Sequence, residues 1–349
     1  SSDLLTSIAL ISDNGFRADS GFDQQNIQFK YQGNAGLEWD IDWLTSFQNL
    51  NQETAGFIQG VDAYKDENLR FTNPNPEAFR DAKSYRTQAR LERRVGDNTL
   101  ALTPYARCTE LRFLRHFVPG QALEKNAHSS VGFQSALCKE GREGFNIGID
   151  AEYTKGEVYE FQANPNRFSF VQGLHYDYEV DAFVGAAYGQ KSVALGKAFT
   201  LDLGLRGEYT HYDYDNQAST GRSGRFIREA DRADDFFTLT PKVSLSYVFA
   251  NNLKGYVRAA RGSRAPQVTD LYSVQLNQVP GQADVETLDS LEAGLKFNNS
   301  VSSFSLAAFT MWKDNFFFRN ANGFNVVNGK TRHSGIEASF SWPVSNRVT

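Results

Sequence analysis

Phe199-Thr200-Leu201-Asp202-Leu203-Gly204-Leu205-Arg206-Gly207-Glu208-Tyr209-Thr210-His211 is the stretch that decides the architecture. Successive side chains of an extended strand point to opposite faces. Phe199, Leu201, Leu203, Leu205, Gly207 and Tyr209 therefore share one face, and Thr200, Asp202, Arg206, Glu208 and Thr210 the other. A soluble sandwich would bury the first face equally well, so one strand alone does not choose between sandwich and membrane. Repetition chooses. Phe145, Ile147, Ile149, Ala151 and Tyr153 alternate with Asn146, Asp150 and Glu152; Val243, Leu245, Tyr247 and Phe249 with Lys242, Ser244 and Ser246. Leu291, Ala293, Leu295 and Phe297 alternate with Glu292 and Lys296, and Ile336, Ala338, Phe340 and Trp342 with Glu337, Ser339 and Ser341. The polar faces carry charge, which a dry core rejects. Tyr31, Trp39, Tyr153, Phe249 and Trp342 stand at strand ends, the place of interfacial aromatics, and favour lipid.

Further alternating segments are predicted at 5–13, 24–32, 37–50, 84–95, 99–112, 128–138, 176–189, 253–262 and 301–313. Tight turns, such as Gly33-Asn34-Ala35-Gly36, Val95-Gly96-Asp97-Asn98, Asn251-Asn252 and Asn298-Asn299-Ser300, alternate with long loops. The loops are expected at 14–23, 51–83, 113–127, 156–175, 214–234, 263–286 and 314–330. In an antiparallel meander every second connection lies on the same rim, so one rim is trimmed and the other elaborated. The expectation is an all-β, antiparallel up-and-down transmembrane β-barrel forming one domain over residues 1–349, with short turns inside and long loops outside.

A mean hydropathy of −0.48 and 22% charged residues resemble a soluble protein. A barrel has this composition too, because only alternate residues meet lipid. No apolar stretch is long enough for a helical span. The 13% aromatic content, with 28 Phe and 15 Tyr, suits interfacial girdles. A net charge of −5 without a basic stripe argues against nucleic acid as a partner.

The chain begins at Ser1, its single methionine is Met311, and Pro343-Val344-Ser345-Asn346-Arg347 is a turn that should hand over to another strand. These features read as an internal fragment without its signal peptide. Cys108 is expected towards the upper rim and Cys138 at the lower turn, too far apart for a disulfide. His116, His128, His175, His211 and His333 show no metal-ligand spacing and are expected at the surface, the alternative for His116 and His175 being that they face a haem or metal entering from outside. No nucleophile elbow, phosphate loop or paired Cys motif is present, and the pairing of His211 with Ser244 or Ser246 is geometrically poor; no enzyme is expected.

Three stretches resemble the barrel of TonB-dependent outer-membrane receptors. Arg261-Gly262-Ser263-Arg264-Ala265-Pro266, followed by Thr269-Asp270-Leu271-Tyr272, looks like the family's RGFRAP…LY segment, with Ser263 in place of the usual aromatic. Glu286-Thr287-Leu288-Asp289-Ser290-Leu291-Glu292-Ala293-Gly294-Leu295-Lys296 resembles the strand that follows, with Val285 where proline is common. Asn328-Gly329-Lys330-Thr331 to Ser334-Gly335-Ile336-Glu337 resembles a third. Thr72-Asn73-Pro74-Asn75-Pro76-Glu77 and Phe117-Val118-Pro119-Gly120 look like loops of some siderophore-receptor branches. The resemblance implies energy-coupled import of a scarce large solute, usually a ferric siderophore, through the bacterial outer membrane. It also implies a separate plug that engages TonB, absent from this sequence, and twenty-two strands, of which about fourteen are present. A passive porin is the alternative. The ferric chelate is cargo, and no cofactor is expected.

Ligand contacts are expected from Arg115, His116, Arg167, Phe168, Tyr176, Arg225 and Arg264, since guanidinium groups and aromatic faces suit an anionic chelate. Glu292 and Glu337 are expected on the lumen face, solvated or paired with Arg258 or Lys296. The isolated piece, with open sheet edges, is expected to aggregate.

Overall fold

The computed structural model describes residues 2–342 except 37, 277 and 322–324. The turn expected at 343–347 lies outside the described residues. Strands β1 (Asp3–Asp13), β2 (Phe22–Ala35), β3 (Trp39–Glu53), β4 (Phe79–Val95) and β5 (Asn98–Leu114) open the chain. They are followed by β6 (Leu123–Lys139), β7 (Phe145–Gln162), β8 (Gly173–Leu195) and β9 (Phe199–Asn216). A small hairpin, β10 (Gly221–Ser223) with β11 (Phe226–Arg228), sits in the loop before β12 (Arg232–Ala250). Then come β13 (Leu253–Arg264), a short helix α1 (Val268–Tyr272), β14 (Glu286–Asn298), β15 (Ser303–Arg319) and β16 (Asn325–Ser341).

Fourteen strands form one sheet in which each pairs antiparallel with its neighbour in sequence, β9 passing directly to β12. Among the described residues β1 and β16 are its two edges. The fold is therefore a partial up-and-down barrel, and every predicted strand is present. No described helix is long and apolar enough to cross a membrane.

The structure corrects two predicted boundaries. Gly33, Asn34 and Ala35 remain in β2, paired with Ile41, Asp40 and Trp39, and the turn begins at Gly36. Gly36 has φ 72°, a backbone that glycine adopts without steric cost. The long loops also shrink, because the strands continue past their alternating part. β8 runs for 23 residues, whereas about 9–11 tilted residues cross the hydrocarbon.

The register explains the extra length. On the outer face Leu203 pairs with Lys191 and Val243, and Leu205 with Gly189 and Pro241. Leu203, Leu205, Leu239, Val243 and Leu245 are exposed there, the apolar band expected of a bilayer face. Tyr153, Phe183, Tyr209 and Phe237 close the band above. Beyond them the same face carries Lys155, Glu179, Asp181, Asp213 and Asp235. The inner face inverts in the opposite sense. Asp202, Arg206 and Glu208 low on β9 give way to Tyr212 and Tyr214, and β8 ends in Val180, Tyr178 and Tyr176. Period two is kept, but the polarity of the two faces is exchanged.

Candidate functional site: a packed vestibule at the long-loop rim

The inverted segment builds the packed core of the described structure. Tyr176, Tyr178, Val180 and Tyr214 from the inner face meet Phe226 from β11 and Leu271 and Tyr272 from α1. Tyr178 is 1% exposed and Tyr272 0%. Tyr214 stacks on Tyr272 with ring centroids 4.4 Å apart. Polar tips are satisfied as burial requires. The Tyr176 hydroxyl donates to the Val274 carbonyl at 2.7 Å, Tyr178 lies 2.9 Å from Ser273 Oγ, and the Tyr272 hydroxyl donates to Asp234 at 2.8 Å. Burial and this last bond raise the Tyr272 pKa above its ordinary value. Loops 163–172, 217–231 and 265–285 are joined by main-chain bonds from Arg225 N to Ser169 O, Ile227 N to Val274 O and Leu276 N to Arg225 O.

The Arg264-Ala265-Pro266 motif has a mechanical reading here. Proline cannot continue the ladder. The chain turns, the Tyr212 hydroxyl donates to the Pro266 carbonyl at 3.2 Å, and α1 starts at a capping box of Gln267 and Asp270. One turn later Leu271 and Tyr272 enter the core.

Beside the aromatic cluster runs a chain of alternating charge. Glu124 is 3.4 Å from Arg115, Arg115 pairs closely with Glu160, and Glu160 Oε1 is 2.7 Å from His175 Nδ1. His175 Nε2 lies 2.7 Å from the Val171 carbonyl. The ring is thus held at both nitrogens, by a carboxylate on one side and a main-chain carbonyl on the other. His175 is 0% exposed and stacks on Phe226 at 3.7 Å. The surface position expected for this histidine is therefore overturned: it anchors the β10–β11 hairpin from beneath. Glu160 went unrecognised because the strand was expected to end before it; a carboxylate at even spacing from Glu152 was the available signal.

The ligand-contact candidates separate into two groups. Arg167 and Phe168 are exposed at the tip of loop 163–172, Phe168 by 93%. His116 is half-buried against Phe117. Arg264 is exposed and pairs with Glu286 at 3.1 Å. In contrast Tyr176 and Arg225 are buried, Arg225 lying over the Phe170 ring at 4.7 Å, and Arg115 belongs to the charge chain. The expected ligand contact by Tyr176 does not fit its burial, since its hydroxyl is committed to Val274.

Lower down, Arg261 grips Asp289 through two bonds of 2.7 Å on the outer face. Glu292 accepts from Arg258 at 3.1 Å and from the Tyr256 hydroxyl at 2.7 Å, so it is paired, while Glu337 is exposed. Gly294 and Gly335 each lie opposite a ring on the next strand. A Cβ there would fall 2.7 Å from Tyr256 and 2.8 Å from Phe309. Gly132 under Tyr105 and Gly148 under Tyr188 repeat the pattern. Gly262 has open space around it, and nothing in the structure explains it. Cys108 and Cys138 are free, on β5 and β6, with Cys108 opposite Ser129 and Cys138 opposite Thr99.

Residues 3–349 match the family described as TonB dependent receptor-like, beta-barrel. The chain belongs to this receptor family. No curated protein matches the sequence. Among solved structures the ferric-catecholate import receptor Fiu of E. coli K12, in its closed form, is similar, with TM-score 0.71 and 14% identity over 99% of this chain and 58% of Fiu. The unliganded ferric citrate transporter FecA gives 0.75 and 15% over 98% of this chain and 51% of its own. The ferric yersiniabactin uptake receptor FyuA of Yersinia pestis gives 0.75 and 12%, over 99% and 54%. The chain thus spans little more than half the length of these receptors. At such identities the likeness concerns the fold. Membership of a TonB-dependent receptor family is membership of a receptor group rather than an enzyme family, and nothing in the matches favours the passive porin.

Proposed function

We propose that this chain is the ligand-facing barrel portion of a bacterial outer-membrane receptor that imports a ferric siderophore by energy-coupled transport. The observation that supports this reading is the vestibule, in which three long loops are bonded to one another and pack an aromatic cluster against the inner wall. Such a mouth suits capture of one scarce solute better than free diffusion. Exposed Arg167 and Phe168, with His116 and Arg264, offer cationic and aromatic contacts to an anionic chelate. Coupling would run through TonB acting on a plug in the lumen. The ferric chelate is cargo, and no enzymatic step is proposed.

The test is growth under iron limitation with and without the intact gene, together with binding of ferric catecholate and ferric citrate to the full-length receptor. Arg167→Ala combined with Phe168→Ala is expected to weaken binding about tenfold at unchanged thermal stability, as loss of one charge-assisted contact implies. Unchanged affinity removes both residues from the site, and unchanged growth with no chelate binding rejects the iron reading.

A further inference from the structure

The inner wall near the short-turn rim holds a recess of about 300 Å3 that no part of the vestibule uses. Lys254 on β13 and Lys296 on β14 are direct cross-strand partners on this wall, and Lys242 on β12 lines the same recess. Like charges directly opposite one another on a sheet face repel. Arg258 and the acids Asp202 and Glu292 line the recess as well. Glu292 accepts from Arg258 and Tyr256, and Asp202 accepts from the Ser192 hydroxyl at 2.5 Å. Among the described residues none of the three lysines takes part in an ion pair; Lys296 lies over the Tyr256 ring at 5.5 Å. The side chain of Ser244 adds polar lining. Four cationic and two acidic side chains lining one small, strand-built hollow leave it net positive, which is complementary to a compact anion.

We propose that Lys242, Lys254 and Lys296 form a binding site for a carboxylate or phosphate group on the lumen wall. The group comes either from a free solute or from an acidic side chain elsewhere in the full-length polypeptide. The proposal needs only that this face opens on the lumen, and it stands or falls apart from the identity of the imported solute.

Thermal melts of the full-length receptor in detergent at low salt, without and with inorganic phosphate, test it. Lys254→Gln and Lys296→Gln are each expected to lower Tm by about 2–4 °C, since either removes a ligand of the bound anion. If phosphate raises the wild-type Tm and leaves the variants unmoved, the anion is a free solute. If the variants melt lower regardless of phosphate, it is an acidic side chain of the polypeptide. With phosphate present, a variant Tm equal to or above wild type, the outcome for a bare pair of repelling lysines, overturns the proposal. Should the variants not fold, amine acylation of the wild type decides. Lys254 and Lys296 are expected to react more slowly than Lys197 in the β8–β9 turn, with the difference erased by high salt; equal or salt-insensitive rates overturn it.

Discussion

The lower and upper halves of β8, β9 and β12 share strands, register and period, yet they solve opposite problems. Below Tyr209 and Phe183 apolar side chains point out and charges point in, apart from Lys191 at the short-turn end of β8. Above them Asp181, Asp213 and Asp235 point out, while Tyr178, Tyr214 and Phe236 point in and are covered by two loops. The solvent on each side dictates the exchange. Hydrocarbon lies outside and water inside in the lower half, whereas water lies outside and packed protein inside in the upper half. A strand of constant pleat thus serves as a membrane wall and as one side of a water-excluding core.

The largest effect should come from the upper half. Glu160→Gln leaves Arg115 and His175 without their shared carboxylate, and a broken buried pair costs about 3–5 kcal/mol. Hydrogen exchange should quicken in loops 163–172 and 217–231 with the lower strands unchanged; an unaltered pattern would separate His175 from the hairpin. Next, the boundary itself can be probed with one charge at two heights. Leu203→Lys on the outer face of the lower half should cost about 2–4 kcal/mol, and Asp213→Lys ten residues along the same face close to nothing. Equal costs in urea titrations of the full-length receptor would erase the distinction between the halves.

A smaller change is expected at Gly294→Ala, where the added Cβ must displace the Tyr256 ring. Overpacking of this kind costs about 1–3 kcal/mol, and Gly294→Ala with Tyr256→Ser should recover part of it. The smallest effect concerns pH. Burial raises the carboxyl pKa of Glu229 in the hairpin loop, with Arg232 opposing. An acid raised in the folded state favours folding most below its unfolded pKa, about 4.3, and that contribution is lost as pH rises through the folded value. Hairpin protection should therefore fall slightly between mildly acidic and neutral pH, and Glu229→Gln should flatten the slope.

Wherever lipid imposed alternation the strands were legible in the residues, as in Phe199–His211 and Leu291–Phe297. The upper ends were not, because once both faces are polar or both are packed, hydropathy no longer alternates in the expected sense. Segments 156–162 and 214–216 consequently read as loop although their backbones pair without interruption but for one bulge beside Glu160. Of the expected ligand contacts, Arg167 and Phe168 are exposed, while Tyr176 and Arg225 are buried, as is His175 beside them. Aromatic and basic residues in a loop look alike in sequence whether they await a ligand or hold another loop in place.

By itself the sequence determined the membrane architecture, since period-two polarity with charge on one face leaves lipid as the partner of the other. Its motifs also determined the receptor family. Only the tertiary structure decided where the bilayer ends, which loops fold inward, and that Glu160, His175 and Phe226 meet. Those outcomes depend on which distant side chains share a space, and no local spacing encodes such a meeting.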